Sequence, residues 1–252
     1  MARYKLILAY DGTDFHGFQR QGSIRTVQLS IESALSRLQW KGKSILAAGR
    51  TDSGVHASGQ VVTFDLDWKH TLKDLGNALN AHLPKDIGIS EIVECDHEFH
   101  PRYDASSRRY QYQIYCQPAR DPLKQRFAWR LTPVPDFGLL ESAANLLIGT
   151  YDFSAFGSPM KPGGSTTRTL SLASWNQVST NSLSFDIAAN AFLYHMVRRM
   201  VFLQVQVGLG KIELQDFEQA VKTCKELKPG LAPPQGLTLI EVEYKRNTEM
   251  EA

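Results

Sequence analysis

The chain has 252 residues, of which 42% are hydrophobic and 21% charged, with a formal net charge of +2. That balance excludes a disordered or fibrous chain and suits one large domain or two closely packed halves around a substantial core. No apolar run approaches the ~20 residues that span a bilayer, and so small a net charge says little about partners, which leaves its distribution to be read instead.

In chain order, residues 3–10 read as a strand. Thr26 then stands as N-cap to an amphipathic helix marked by Val27, Ile31, Ala34, Leu35 and Leu38. A glycine-bounded segment, Ala48-Gly-Arg-Thr-Asp-Ser-Gly-Val-His-Ala57, leads into a strand with Val62, Phe64 and Leu66 on one face. Thr71-Leu-Lys-Asp74 is a capping-box variant that opens a second helix through Leu75, Ala78 and Leu79, closed before Pro84. Residues 88–94 and 109–116 are β-rich, and the second run starts another strand-then-helix series, with a helix from Phe137 ended by Gly149. Segments 158–165 and 229–236 are turn-rich loops. The second leads into a late strand over 237–244, which could place Leu237 or Leu239 at a cleft, although either leucine taken alone reads first as core. The parallel order predicts two related α+β units with joined sheets: an N-terminal half over 1–104, a C-terminal half over 105–246, and a tail at 247–252. Cys95, Cys116 and Cys224 are odd in number and widely spaced, which suits reduced structural thiols. The apolar stretch at the N-terminus is too short for a signal peptide, so a cytoplasmic location is expected.

Asp52 is the residue on which the chemistry turns. Gly49 and Gly54 free the backbone to turn sharply, and Thr51 and Ser53 offer hydroxyls that can hold the aspartate in place. Spacing alone leaves open whether Asp52 is a catalytic carboxylate on a rigidly held loop or an Asx-turn that only satisfies backbone amides. A phosphate-binding loop is excluded, because Val55-His56 stands where that chemistry needs Lys and Ser/Thr. An aspartic protease needs a second Asp-Ser/Thr-Gly, and Asp11-Gly12-Thr13 has another order. His56 lacks a second metal ligand at helical or hairpin spacing, and the cluster Cys95, His97 and His100 lacks a fourth ligand, so no metal is expected.

Over 102–130, Arg102, Arg108, Arg109, Arg120, Lys124, Arg126 and Arg130 face only Asp104 and Asp121, a local excess of +5. They are interleaved with Tyr103, Tyr110, Tyr112, Tyr115, Phe127 and Trp129. This mixture suits phosphate contacts with base stacking in RNA; most of these residues taken singly read first as a solvated face whose tyrosines pack inward. Segment 191–210 reads as a helix apolar nearly all round, with Arg198 and Arg199 as its only formal charges. Adjacent helix residues point about 100° apart, so the two arginines cannot reach solvent by one route. One of them either snorkels at the helix edge or pairs with an anion, for which Asp52 and a substrate phosphate are candidates.

Taken together, these segments resemble the A-type tRNA pseudouridine synthases over almost the full chain. Tyr10-Asp-Gly-Thr-Asp-Phe-His-Gly-Phe-Gln19 is similar to the family's N-terminal motif, with Phe18 where Trp is usual, and residues 49–57 resemble its catalytic loop. Asn77-Ala-Leu-Asn80, Leu83-Pro-Lys-Asp-Ile87, Phe99-His-Pro-Arg102 and Arg108-Arg-Tyr-Gln-Tyr112 follow in family order, with Pro101 where alanine is common. Asn190-Ala-Phe-Leu-Tyr-His-Met-Val-Arg198 and Gly236-Leu-Thr-Leu239 complete the set, and Arg199 stands where asparagine is frequent.

The resemblance implies isomerisation of uridine to pseudouridine in the anticodon arm of tRNA, at about positions 38 to 40, without cofactor or metal. It implies an α+β fold with a mostly antiparallel central sheet, built from two pseudo-symmetric halves flanked by helices, and a homodimer with basic clefts for tRNA. Asp52 would be the nucleophile, attacking the uracil ring or the ribose C1′, and Arg198 would pair with it and favour its charged form. Tyr110 would stack on the flipped base, with removal of the C5 proton as a further candidate role, and Leu237 would pack on the ring. Arg20, Arg50, Arg108, Arg109 and Arg168 would hold backbone phosphates or brace the displaced nucleotide. The alternative is a tRNA-binding protein without catalysis on the same fold, whose sequence signature would be loss of Asp52, Tyr110 or Arg198; all three are present.

Overall fold

Tyr4, Leu6, Leu8 and Tyr10 are buried at alternate positions of strand β1 (Ala2–Tyr10), as period two requires of a strand with one core face. The computed structural model describes residues 1–245, so the tail expected at 247–252 lies outside the described residues. The chain divides into two compact units: Met1–Ser106 with the strand from Leu239 onward, and Ser107–Thr238.

In the first unit β1 lies antiparallel between β3 (His56–Leu66) and β4 (Ile87–Cys95), and the short β2 (Leu46–Ala47) pairs with β3. Val62, Phe64 and Leu66 are buried as expected, yet so are Val61 and Thr63, so β3 is covered on both faces. Helix α1 (Val27–Arg37) starts where Thr26 Oγ1 accepts from the Leu29 N–H at 3.3 Å. Helix α2 (Leu72–His82) has the full capping box, with the Thr71 hydroxyl accepting from the Asp74 N–H at 3.1 Å and the Asp74 carboxylate accepting from the Thr71 N–H at 3.2 Å. The Thr71 hydroxyl also donates to Asp74 and holds that carboxyl below its ordinary range.

In the second unit β5 (Ala105–Cys116), β9 (Ser182–Ala189), β8 (Thr167–Ser179) and β7 (Gly149–Asp152) are neighbours in that order and antiparallel, and β6 (Trp129–Leu131) runs parallel to β5. Three helices, α3 (Phe137–Asn145), α4 (Met196–Gly208) and α5 (Leu214–Thr223), pack on one another, α3 on β8 and α5 on β7. Both units are thus α+β, each with helices and a mostly antiparallel sheet. The Trp175 indole N–H on β8 donates to Gln204 Oε1 on α4 at 2.9 Å, which satisfies two buried polar groups and ties helix to sheet.

Three elements differ from the sequence reading. The helix expected over 191–210 begins only at Met196, because Tyr194 exchanges backbone hydrogen bonds with Ser158 (2.9 and 3.4 Å) and His195 adopts a left-handed conformation at φ 64°. Phe192 and Leu193 are therefore apolar residues of an irregular segment. The helix from Phe137 ends at Asn145 rather than at Gly149, which opens β7 at φ 128°. Finally, the last strand, β10 (Leu237–Tyr244), groups from Leu239 onward with the first unit. It neighbours β3, where a Cβ on Gly59 would lie 2.1 Å from the Ile240 carbonyl oxygen, so only glycine permits that approach.

Candidate active site

Asp52 lies in the segment between β2 and β3, and its neighbours are tied to residues 10–18. The Thr51 carbonyl accepts from the Phe18 N–H at 3.0 Å, and the Thr51 and Tyr10 hydroxyls lie 2.8 Å apart. The Phe15 carbonyl accepts from both the Ser53 hydroxyl (3.1 Å) and the Gly54 N–H (3.3 Å). The main-chain carbonyl of Asp52 closes the turn by accepting from the Val55 N–H at 3.2 Å. At the base of the loop the Gln60 amide donates to the Gly49 carbonyl at 3.1 Å. Two glycines make the contact possible. A Cβ on Gly12 would lie 2.0 Å from the Val55 carbonyl oxygen, and Gly17, at φ 84°, passes so close that a Cβ there would lie 3.0 Å from the Thr51 carbonyl oxygen.

Nδ1 of the buried His56 accepts from the Gly12 N–H at 3.0 Å. That lone pair is spent on the backbone and is not available to a metal. Burial pushes the Tyr10 hydroxyl up to about 12, against opposing hydrogen bonds from Thr51 and Gln60, so it stays neutral at physiological pH. Tyr10→Phe removes the buried hydroxyl and its bonds with Thr51 and Gln60, and we expect a loss of about 2 kcal/mol, or roughly 6 °C in melting temperature; denaturant titration checks it.

In the second unit Tyr110 and its neighbours alternate along β5. Arg108 donates to the Asn190 carbonyl at 2.7 Å, the Tyr110 ring meets Phe192 edge-on at 5.3 Å, and the buried Tyr112 donates its hydroxyl to the Pro233 carbonyl at 2.7 Å. Arg109 and Gln111 leave by the opposite face, where both reach Asp186 on β9, at 3.1 and 3.3 Å. Arg108 and Arg109, adjacent in sequence, therefore do not act on one surface. Asn190 braces the same region, its side-chain oxygen accepting from the Thr169 and Ala191 N–H groups at 3.1 and 2.8 Å.

The two arginines of α4 are both held by loop carbonyls. Arg198 Nε donates to Ala232 O at 2.8 Å, and the Ala232 N–H returns a bond to Arg198 O at 3.1 Å. Arg199 donates to the carbonyls of Leu227, Lys228 and Gly230, and desolvation pulls its pKa down. Beyond this loop a Cβ on Gly236 would fall 2.5 Å from the Tyr112 ring, so the aromatic lies directly on the backbone before Leu237, itself buried at the start of β10.

The remaining predicted arginines are spread over both units. Arg20 pairs with the buried Glu32 at 2.6 Å, and Arg50 is exposed beside Asp52. Arg168 on β8 donates to the Ser165 and Thr167 carbonyls, with its pKa lowered by desolvation. Within the basic stripe Tyr112 and Tyr115 pack into the core, whereas Arg120, Lys124, Arg126 and Arg130 are exposed. His100 Nδ1 accepts from the Arg102 N–H at 3.1 Å, and among the described residues no group of three or more His, Cys, Asp or Glu side chains is placed to hold a metal. No helix among them is long and apolar enough to cross a membrane.

The family model for tRNA pseudouridine synthase matches residues 6–104 and 143–245. The chain belongs to the tRNA pseudouridine synthase family. It is 38% identical over 245 residues to tRNA pseudouridine synthase A of Acetivibrio thermocellus, covering 97% of this chain and 100% of the relative. It is 39% identical over 248 residues to the enzyme of the same name from Chloroflexus aurantiacus, covering 97% and 89%. A third, from Neisseria meningitidis serogroup C, is 38% identical over 245 residues, covering 96% and 92%. The resemblance read from the motifs is thus established, and with it membership of an isomerase family. Arg108, Arg109 and Tyr110 lie between the two matched stretches of the tRNA pseudouridine synthase model, within the span that the full-length relatives cover.

Sequence reasoning assigned no task to Gly12 or Gly17, and it did not foresee the carbonyl partners of Tyr112 and Arg199. The glycines carried a signal, since two within six residues of an aromatic-rich motif announce close backbone approach. The carbonyl partners of Arg199 left none.

Proposed function

We propose that this chain isomerises uridine to pseudouridine in the anticodon arm of tRNA, at about positions 38 to 40, with Asp52 as nucleophile. The observation that carries this reading is the bracing of the Asp52 loop. Thr51 before the aspartate and Ser53-Gly54 after it are bonded to Phe15, Phe18 and Tyr10, and a nucleophile gains from being held at fixed range before substrate arrives.

In the reaction, the carboxylate attacks the uracil ring or the ribose C1′ of a uridine lifted from its stack. The glycosidic bond from N1 breaks, the uracil turns, C5 bonds to C1′, the bond to Asp52 is released, and the C5 proton leaves for solvent while N1 takes up a proton. Every other atom stays in the nucleotide, so the chemistry calls for no cofactor. Arg198 is the cation that favours ionised Asp52, Tyr110 stacks on the flipped base and is placed in the proton-removal role, and Leu237 packs on the ring. Arg50, Arg108 and Arg168, with Arg20 and Arg109 once released from Glu32 and Asp186, contact phosphates. A cytoplasmic homodimer with basic clefts completes the reading.

Incubation with tRNA tritiated at uridine C5 tests it. Enzyme-dependent release of tritium to water is expected. Salt-sensitive tRNA binding without release would instead favour a non-catalytic RNA-binding protein.

A further inference from the structure

Four carbonyls of segment 227–232 are gripped by two adjacent side chains of α4. The Arg199 guanidinium bridges Leu227 (2.7 Å), Lys228 and Gly230 (3.1 Å), and Arg198 Nε takes Ala232 at 2.8 Å. The segment is also pressed onto the helix, since a Cβ on Gly230, at φ 151°, would fall 2.3 Å from the Phe202 ring. Downstream, Pro233 accepts from Tyr112, and Gly236 lies against the Tyr112 ring. The backbone from 227 to Leu237 therefore forms a strap anchored at one end by Arg199 and at the other by Tyr112.

We infer that Arg199 is a positioning residue for the proposed reaction: it fixes the strap so that the Ala232 carbonyl orients the Arg198 side chain and Leu237 enters β10 at a set place. The inference rests on the roles given above to Arg198 and Leu237. The chemistry of the side chain suits the task. A guanidinium presents five N–H donors in one planar fork and can bridge several carbonyls at once, whereas an ammonium is a point charge on a flexible stem. Without the fork, the Leu227, Lys228 and Gly230 carbonyls lose their donor and the strap can shift. A displacement near 1 Å at a reacting group costs on the order of 10²-fold in rate.

The test uses the full chain with Arg199→Met and Arg199→Lys. Single-turnover tritium release at saturating enzyme reports on chemistry, filter binding reports on tRNA affinity, and amide exchange at Ala232 reports on the strap. Arg199→Met should slow the saturated rate by about 10-fold or more, keep the tRNA Kd within about 3-fold, and expose the Ala232 amide; Arg199→Lys should fall between it and the parent. A role in stability alone would lower the melting temperature and leave the saturated rate, measured well below melting, unchanged. That result, or a change confined to Kd, overturns the inference. If Arg199→Met does not fold, Arg199→Lys decides, and an unchanged saturated rate in it overturns the inference. Absence of tritium release from the parent enzyme would instead defeat the proposed function on which the inference stands.

Discussion

Asp52→Asn should reduce tritium release from C5-labelled tRNA by at least about 10³-fold, the scale expected when a nucleophile is removed. The fold should survive, because the bonds of Thr51, Ser53 and Gly54 that brace the loop are left in place, and asparagine matches aspartate in shape. Binding should survive as well: the phosphate contacts assigned to the arginines do not involve Asp52, so the affinity for tRNA and its fall with rising salt should stay close to those of the parent. Undiminished release in this variant would remove Asp52 from the chemistry and leave the family membership untouched.

Gly12→Ala should be the most damaging single change outside the reacting groups. Its methyl group would meet the Val55 carbonyl oxygen at 2.0 Å, and the contact is between two backbones, so no side-chain rotation relieves it. Either the chain after β1 and the Asp52 loop part, or the turn from Asp52 to Val55 deforms. Overpacking of this kind costs up to about 3 kcal/mol, and displacement of the loop should lower the saturated rate by about 10²-fold. Urea unfolding and tritium release measure the two effects separately. Gly88→Ala is the matched control, since a Cβ there meets nothing within 4 Å, and it should change neither quantity appreciably.

What the sequence made legible was whatever local chemistry determines. The alternation of Tyr4, Leu6, Leu8 and Tyr10, the caps Thr26 and Thr71, and the strand over 237–244 all follow from patterns within a dozen residues. The start of α4 was hidden because the signal that ends the irregular segment is a backbone bridge from Tyr194 to Ser158, 36 positions away. Arg108 and Arg109 both belong to the basic stripe, yet period two sends neighbours to opposite faces; the partner of Arg109 is Asp186, on another strand. For the α4 arginines the sequence offers the helix edge or an anion to one of them; loop carbonyls bond to both as well. Apolar patterning shows which segments are buried. It does not show which main-chain oxygens will be within reach of a charged side chain once the chain has folded.

The proposed function stands or falls on whether this chain makes pseudouridine at defined positions of tRNA. The most direct test is chemical mapping of pseudouridine, by primer extension after selective base modification, on an unmodified tRNA transcript incubated with the purified protein. The account predicts stops confined to the anticodon arm at about positions 38 to 40, present with the parent enzyme and missing with Asp52→Asn. Stops elsewhere in the tRNA, stops that persist in Asp52→Asn, or none with the parent would contradict it.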